Sequence, residues 1–95
     1  MAEKRDHDSY YQRIQKVKLK KVGDQMALYI PSQRAIHVLN QTAFFIWECL
    51  KEPVACEELL FMLSEAFEGE RETMKKDLEE TLALLLEKGL IRKVR

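Results

Sequence analysis

The hydrophobic pattern of the chain changes its period at Asn40. Before it, residues 35–39 read AIHVL, a short apolar run typical of a β-strand. After it, residues 41–50 place apolar side chains at the i, i+3, i+4, i+7 spacing of one helical face. That face consists of Ala43, Ile46, Trp47 and Leu50. Asn40 suits the N-cap position, because its side-chain oxygen can accept a hydrogen bond from a free helical N–H. The pattern therefore predicts an apolar strand joined directly to an apolar helix.

Two further strands are predicted before this junction. Side chains alternate through residues 13–21, and QMALYI follows at residues 25–30. Gly23 and Asp24 lie between these runs and fit a two-residue hairpin turn, since glycine adopts positive φ at no steric cost. The PSQR of residues 31–34 forms a loop before the third strand. We expect a three-stranded antiparallel sheet with the third strand at one edge.

Two more helices follow the first. Helical periodicity continues through residues 57–67 and 72–88. Pro53 ends the first helix, because the residue before a proline is steered away from helical angles. Gly69 and Gly89 end the second and third helices. The predicted order is β-β-β-α-α-α, which is an α+β fold.

Length and charge are typical of one small domain without an obvious charged partner. Residues 1–12 are polar and are predicted to form a flexible N-terminal tail, and residues 13–95 form the domain. The 16 basic and 16 acidic residues cancel, whereas a nucleic-acid-binding domain usually presents a basic face. The two ends are basic and the middle is acidic, so we expect the segments to neutralise one another within the fold.

No feature of the sequence indicates a membrane or secreted protein. No apolar run approaches the ~20 residues that span a bilayer, and the first twelve residues lack the apolar stretch of a secretory signal. Cys49 and Cys56 do not form a CxxC pair and have no metal-ligand spacing with other residues, so we expect free thiols. The expected location is the reducing cytoplasm.

The sequence contains no recognisable catalytic arrangement. His7 lies in the predicted tail, and His37 lies in the third strand with no Asp, Ser or Cys at a motif spacing. The chain has three glycines and none belongs to a phosphate-binding motif. We therefore expect a binding module that is not an enzyme and that uses no cofactor and no metal.

Three segments in order resemble the PqqD (coenzyme PQQ synthesis protein D) family. The first resembles its L-N-x-T-A signature and following helix, with Leu39, Asn40, Thr42, Ala43, Ile46, Trp47 and Leu50. The second resembles the start of its next helix, with Cys56, Glu57, Glu58 and Leu59. The third resembles its last helix and G-L-I ending, with Asp77, Leu78, Leu82, Leu85, Gly89, Leu90 and Ile91. Together they extend over about residues 17–92.

The resemblance implies a winged-helix-like RiPP recognition element, a domain that handles ribosomally made and post-translationally modified peptides. Such a domain binds the leader of a precursor peptide and presents it to a modifying enzyme, often a radical-SAM enzyme or a leader peptidase. The leader adds a strand to the edge of the third strand and lies against the third helix. We predict that the peptide site consists of the third strand and the flank of the third helix beside its core stripe, with Arg34, Ala35, Ile36, His37, Val38, Asp77, Thr81, Leu84 and Lys88.

The residues themselves support the same mode of binding. An apolar edge strand is a ready template for another strand, unless the C-terminal LIRKV segment or another subunit covers it. Leu84 lies roughly 120° around the third helix from the core position Leu78, at 100° per residue. Such a leucine could line a groove or simply be exposed.

Two departures from the family pattern change the expectations. Ala55 stands where Ser or Thr often caps the second helix, which should cost about 1 kcal/mol of helix stability. Phe44 and Phe45 make the first helix apolar most of the way round. They would pack under the sheet, or form a homodimer face, or dock the partner enzyme.

The alternatives to a peptide-binding module are a winged-helix nucleic-acid-binding protein and a structural subunit of an enzyme complex.

Overall fold

The structure, a computed structural model, describes residues 9–94 of the 95-residue chain. Residues 1–8 of the predicted tail lie outside the described residues. In chain order, the elements are β1 (Tyr10–Arg13), β2 (Lys18–Val22), β3 (Gln25–Ile30), β4 (Ala35–Leu39), α1 (Gln41–Cys49), β5 (Val54–Ala55), α2 (Cys56–Ala66), α3 (Arg71–Glu87) and β6 (Ile91–Lys93). The predicted α+β class, the three helices and the strands at residues 25–30 and 35–39 are confirmed.

The larger sheet is antiparallel and has the strand order β2-β3-β4. Gly23, the first residue of the β2–β3 turn, has a φ of 64°, whereas the second residue, Asp24, does not have a positive φ. This combination identifies a type II′ turn, which matches the twist of the two strands. The β3–β4 loop ends at Arg34, whose φ of 53° closes the four-residue connection. The registers of both strand pairs run without a bulge.

A second sheet of three short strands, in the order β5-β1-β6, was not predicted. Residues 10–12, assigned to the tail from the sequence, instead lie in β1 between β5 and β6. Residues 14–17, expected to belong to the first strand, connect β1 to β2 outside either sheet. Strands of two to four residues are too short to show an alternating period, and their pairing partners are distant in the chain.

A side-chain cap marks the start of α1 but not the start of α2. Asn40 Oδ1 accepts a 2.8 Å hydrogen bond from the backbone N–H of Ala43, which confirms the predicted N-cap of α1. Ala55 makes no side-chain bond at the start of α2. Within residues 9–94, no helix is both long and apolar enough to cross a bilayer.

The core lies between the inner face of the larger sheet and the three helices. The predicted inner face of α1 is buried. The helical spacing of α3 also predicts an inner stripe, and that stripe is buried at Met74, Leu78, Leu82 and Leu85. The largest fully buried side chains are Trp47, Leu28, Ile30, Leu39, Ile46, Leu50, Leu59, Leu78, Leu85 and Leu90. These residues come from β3, β4, all three helices and the segment after α3, so the sheet and the helices share one core.

The C-terminus of α3 is closed by a Schellman motif. The N–H of Gly89 donates to the carbonyl of Leu86, and the N–H of Leu90 donates to the carbonyl of Leu85. Gly89 has a φ of 72°, and a Cβ there would lie 2.6 Å from Nε2 of Gln33. Only glycine satisfies both conditions without strain.

We expect Gly89→Ala to lower the free energy of unfolding by about 1–2 kcal/mol, because alanine resists a left-handed backbone. It should also displace the Gln33 side chain from the end of α3. Gly23→Ala is the matched control, since its φ of 64° imposes similar strain while no atom lies within 4 Å of the new Cβ. Urea unfolding of the three proteins measures the difference. An equal loss in both variants would mean that the Gln33 contact contributes nothing to stability.

Candidate functional site

The strand β4 lies at an edge of the larger sheet. Among the described residues it pairs with β3 alone. The C-terminal segment, which could have covered it, pairs through β6 with β1 in the other sheet. The edge predicted from the sequence is therefore open within residues 9–94.

The turn before β3 determines which backbone groups point to this edge. A two-residue turn makes Val22 and Gln25 a hydrogen-bonded pair, and such pairs alternate along an antiparallel ladder. The backbone groups of Gln25, Ala27 and Tyr29 thus point to β2, and those of Met26, Leu28 and Ile30 point to β4. Their partners in β4 are Leu39, His37 and Ala35. The N–H and C=O of Ile36 and Val38 consequently point away from β3.

The side chains of these two residues lie on the outer face of the sheet. Ile36 is 65% exposed and Val38 is 53% exposed, whereas Leu39 on the inner face is buried. No residue of β4 carries a permanent charge. Natural edge strands usually carry charges or prolines that prevent pairing, and β2, the opposite edge, carries Lys18, Lys20 and Lys21. The protein therefore protects one edge of this sheet and leaves the other available.

The helix α3 runs antiparallel to β4 on the inner side of this edge. Lys88, just after α3, accepts at its carbonyl a 3.4 Å hydrogen bond from Nε2 of Gln33, just before β4. At the other end, Asp77 and Thr42 line one cavity of about 210 Å³. Between these ends, Thr81 is half-buried and Leu84 is 43% exposed. The opposite flank of α3 lines a different cavity, which includes Leu86 and Tyr11.

The predicted site residues are thus arranged along one open edge and the helix flank beside it. The structure adds Gln33, which the sequence did not single out because a loop glutamine has no periodicity. Nε2 of His37 donates to Oε1 of Gln33 over 3.3 Å in the tautomer protonated at Nε2. Burial, and secondarily the positive charge of Lys88, lower the pKa of His37 below its usual value. His37 is therefore a neutral hydrogen-bonding group near pH 7.

Comparison with models of protein families shows which family the chain belongs to. The model of coenzyme PQQ synthesis protein D (PqqD) matches residues 25–91. The chain belongs to the PqqD family. The match includes β3, β4 and all three helices, so it contains both sides of the site in this PqqD-family domain.

Two solved structures share the fold of this PqqD-family domain. One is TbiB1 in complex with the TbiA(beta) leader peptide, with a TM-score of 0.72 and 21% sequence identity over 88% of this chain and 98% of that chain. Another is lasso peptide synthetase B1 complexed with the leader peptide, with a TM-score of 0.70 and 20% identity over 86% of this chain and 96% of that chain. No curated protein matches the sequence.

Phe44 and Phe45 of this PqqD-family protein are half-buried against its own core. The ring of Phe44 stacks on Trp47 with 6.0 Å between centroids, and the ring of Phe45 meets Phe67 edge-on at 5.4 Å. Their remaining surface lines a cavity of about 200 Å³ beside Met26. Packing within the fold thus explains much of their apolar surface, and an interface at these residues stays a prediction.

The described part of the PqqD-family domain offers little for metal or thiol chemistry. Within residues 9–94, no three His, Cys, Asp or Glu side chains are grouped to hold a metal ion. Cys49 and Cys56 are both free and half-buried. Burial raises the pKa of each thiol, and Glu48 raises that of Cys49 further. Both thiols are thereby less nucleophilic, because the reactive species is the thiolate.

Proposed function

We propose that this protein binds the leader of a ribosomally made precursor peptide as an additional strand on β4. The observation that carries the proposal is the open edge of β4, where the register of the sheet directs the backbone groups of Ile36 and Val38 away from β3, its one partner strand within residues 9–94. Strand addition supplies affinity through main-chain hydrogen bonds and selectivity through pockets for alternate side chains. The PqqD family and the leader peptides bound to the two structural neighbours support this function.

The added strand would lie between β4 and the exposed flank of α3. Two N–H and two C=O groups of Ile36 and Val38 provide up to four main-chain hydrogen bonds. Side chains of the leader that point inward would contact Thr81, Leu84 and Lys88, while those that point outward would extend the apolar surface of β4. Such a site favours a leader with an apolar residue facing Leu84, because exposed leucine gains free energy when it is covered.

We further propose that the domain performs no chemistry itself and delivers the leader to a cytoplasmic modifying enzyme, a radical-SAM protein or a leader peptidase. The residues on both sides of the edge are apolar, hydroxyl or singly charged, and the imidazole of His37 is held by Gln33. Catalysis needs an activated group with a neighbour that activates it, and the site residues contain no such pair. Phe44 and Phe45 remain a predicted interface, either with the enzyme or with a second copy of the domain.

We expect Leu84→Asp to weaken leader binding about tenfold or more, because a buried leucine contributes roughly 1.5–3 kcal/mol and a carboxylate in its place would be desolvated. Leu86→Asp is the matched control, since Leu86 is 37% exposed on the opposite flank of the same helix. Both changes should alter the free energy of unfolding by similar, small amounts. Fluorescence anisotropy with labelled leader segments from short open reading frames beside the gene measures the affinities.

Two other outcomes would change the assignment. Equal binding by wild-type protein and both variants would place the peptide elsewhere on the surface. Binding of mixed-sequence DNA that weakens steeply with salt, together with no affinity for any neighbouring leader, would favour the nucleic-acid alternative, because phosphate contacts release counterions.

A further inference from the structure

We propose that in the free protein β4 pairs antiparallel with β4 of a second copy, about a two-fold axis that passes through His37. In this arrangement Ile36 of one protomer lies opposite Val38 of its partner, and the two His37 residues face each other. The pairing joins two three-stranded sheets into one sheet of six strands. The dimer itself rests only on the geometry of the edge, not on leader binding.

The backbone of β4 has the correct phase for this pairing. The outward groups belong to Ile36 and Val38, which are equidistant from His37. Two-fold symmetry makes Ile36 and the partner's Val38 a pair that exchanges two hydrogen bonds, and the symmetric pair exchanges two more. His37 then forms the non-hydrogen-bonded pair between them. Any one-residue shift of this register would oppose outward groups to inward ones and lose these bonds.

The side chains are also self-complementary. On the outer face each exposed Ile36 meets an exposed Val38, and both pairs adjoin Tyr29, which is 37% exposed. Apolar cross-strand pairs of this kind stabilise a sheet by about 0.2–1 kcal/mol each. At the ends, Arg34 lies opposite Asn40 of the partner, so no two permanent charges of the same sign meet. β2 could not pair with itself in this way, because Lys18, Lys20 and Lys21 would oppose one another.

The expected dimer is weak and exchanges readily. Pairing of two five-residue strands buries less than the roughly 1,200 Å² at which stable specific interfaces begin. It also uses the same four backbone groups as the proposed leader strand, so only one occupant fits at a time. Competition between leader and dimer rests on the proposed function, and leader binding would then convert dimers to monomers.

A disulfide across the two-fold axis tests the register. In a non-hydrogen-bonded pair the two Cα atoms are about 4.5 Å apart, within the range that a disulfide spans. We therefore expect His37→Cys to give a cross-linked dimer under mild oxidation. Ile36→Cys is the matched control, because two copies of residue 36 would be about 8 Å apart, too far for a bond. Both variants retain Cys49 and Cys56, so any background from those thiols is the same.

Non-reducing electrophoresis after oxidation gives the result. Cross-linking of His37→Cys well above that of Ile36→Cys, and strong cross-linking of the double variant Ile36→Cys with Val38→Cys, is expected. Equal cross-linking of the two single variants would overturn the register. A wild-type mass that stays monomeric at every concentration in sedimentation would overturn the dimer itself. Leader segments added before oxidation then test competition separately, since a dimer that they do not dissociate would contradict only the shared edge.

Discussion

Val38→Pro should weaken leader binding roughly tenfold or more while the domain stays folded. The N–H of Val38 points to the open edge, so proline removes a donor that only an added strand would use. Proline is tolerated in edge strands when its missing N–H faces outward. A main-chain hydrogen bond contributes about 1 kcal/mol net, and the pyrrolidine ring adds a steric barrier to the approaching strand.

His37→Pro should instead destabilise the fold, because the N–H of His37 faces β3. This change removes a ladder bond to Leu28 and leaves a buried carbonyl unpaired, which costs about 1–3 kcal/mol of stability. Thermal unfolding followed by circular dichroism, combined with leader affinity, separates the two variants. Val38→Thr is the control for side-chain change, since it keeps both the N–H and the β-branched shape. An unfolded Val38→Pro protein beside a stable His37→Pro protein would show that the backbone phase of β4 is the reverse.

The fold of the larger sheet and helices could be predicted from sequence because each element has a local signal. The type II′ turn depends on Gly23, the N-cap depends on Asn40, and both signals lie next to the elements they define. The period of α3 predicted a buried stripe, and the exposed Leu84 beside it correctly lay outside that stripe. Local signals of this kind determine the turns and helix ends that lie within a few residues of them.

The smaller sheet could not be predicted, because its information is spread over the whole chain. Tyr10 pairs with Ala55, and Arg13 pairs with Ile91, so each partner is at least forty residues away. β1 reads YYQR, which lacks an alternation of apolar and polar residues. The same limit applies to the site, where the contact of Gln33 with Lys88 depends on how α3 ends and not on any motif.

Trp47, the single tryptophan of the chain, connects α1 with the end of α3. It is buried, and its Nε1 donates a 3.0 Å hydrogen bond to the carbonyl of Leu90. The guanidinium of Arg13, which also forms a 3.3 Å ion pair with Glu48, lies 4.3 Å from the ring centroid. The side chain of Trp47 thus joins α1, to which it belongs, to β1 and to the segment that follows Gly89.

We expect Trp47→Ala to lower the free energy of unfolding by about 3–5 kcal/mol, since it leaves a large cavity in the core. Small domains have only about 5–15 kcal/mol in total, so this variant should be partly unfolded at 37 °C. Trp47→Phe separates packing from hydrogen bonding, and should cost less, because the Leu90 carbonyl still accepts from the N–H of Ile14. Urea unfolding followed by circular dichroism is the measurement, as both variants lack the only tryptophan fluorophore. A loss for Trp47→Phe as large as that for Trp47→Ala would assign the stabilisation to the indole N–H, and not to the volume of the ring.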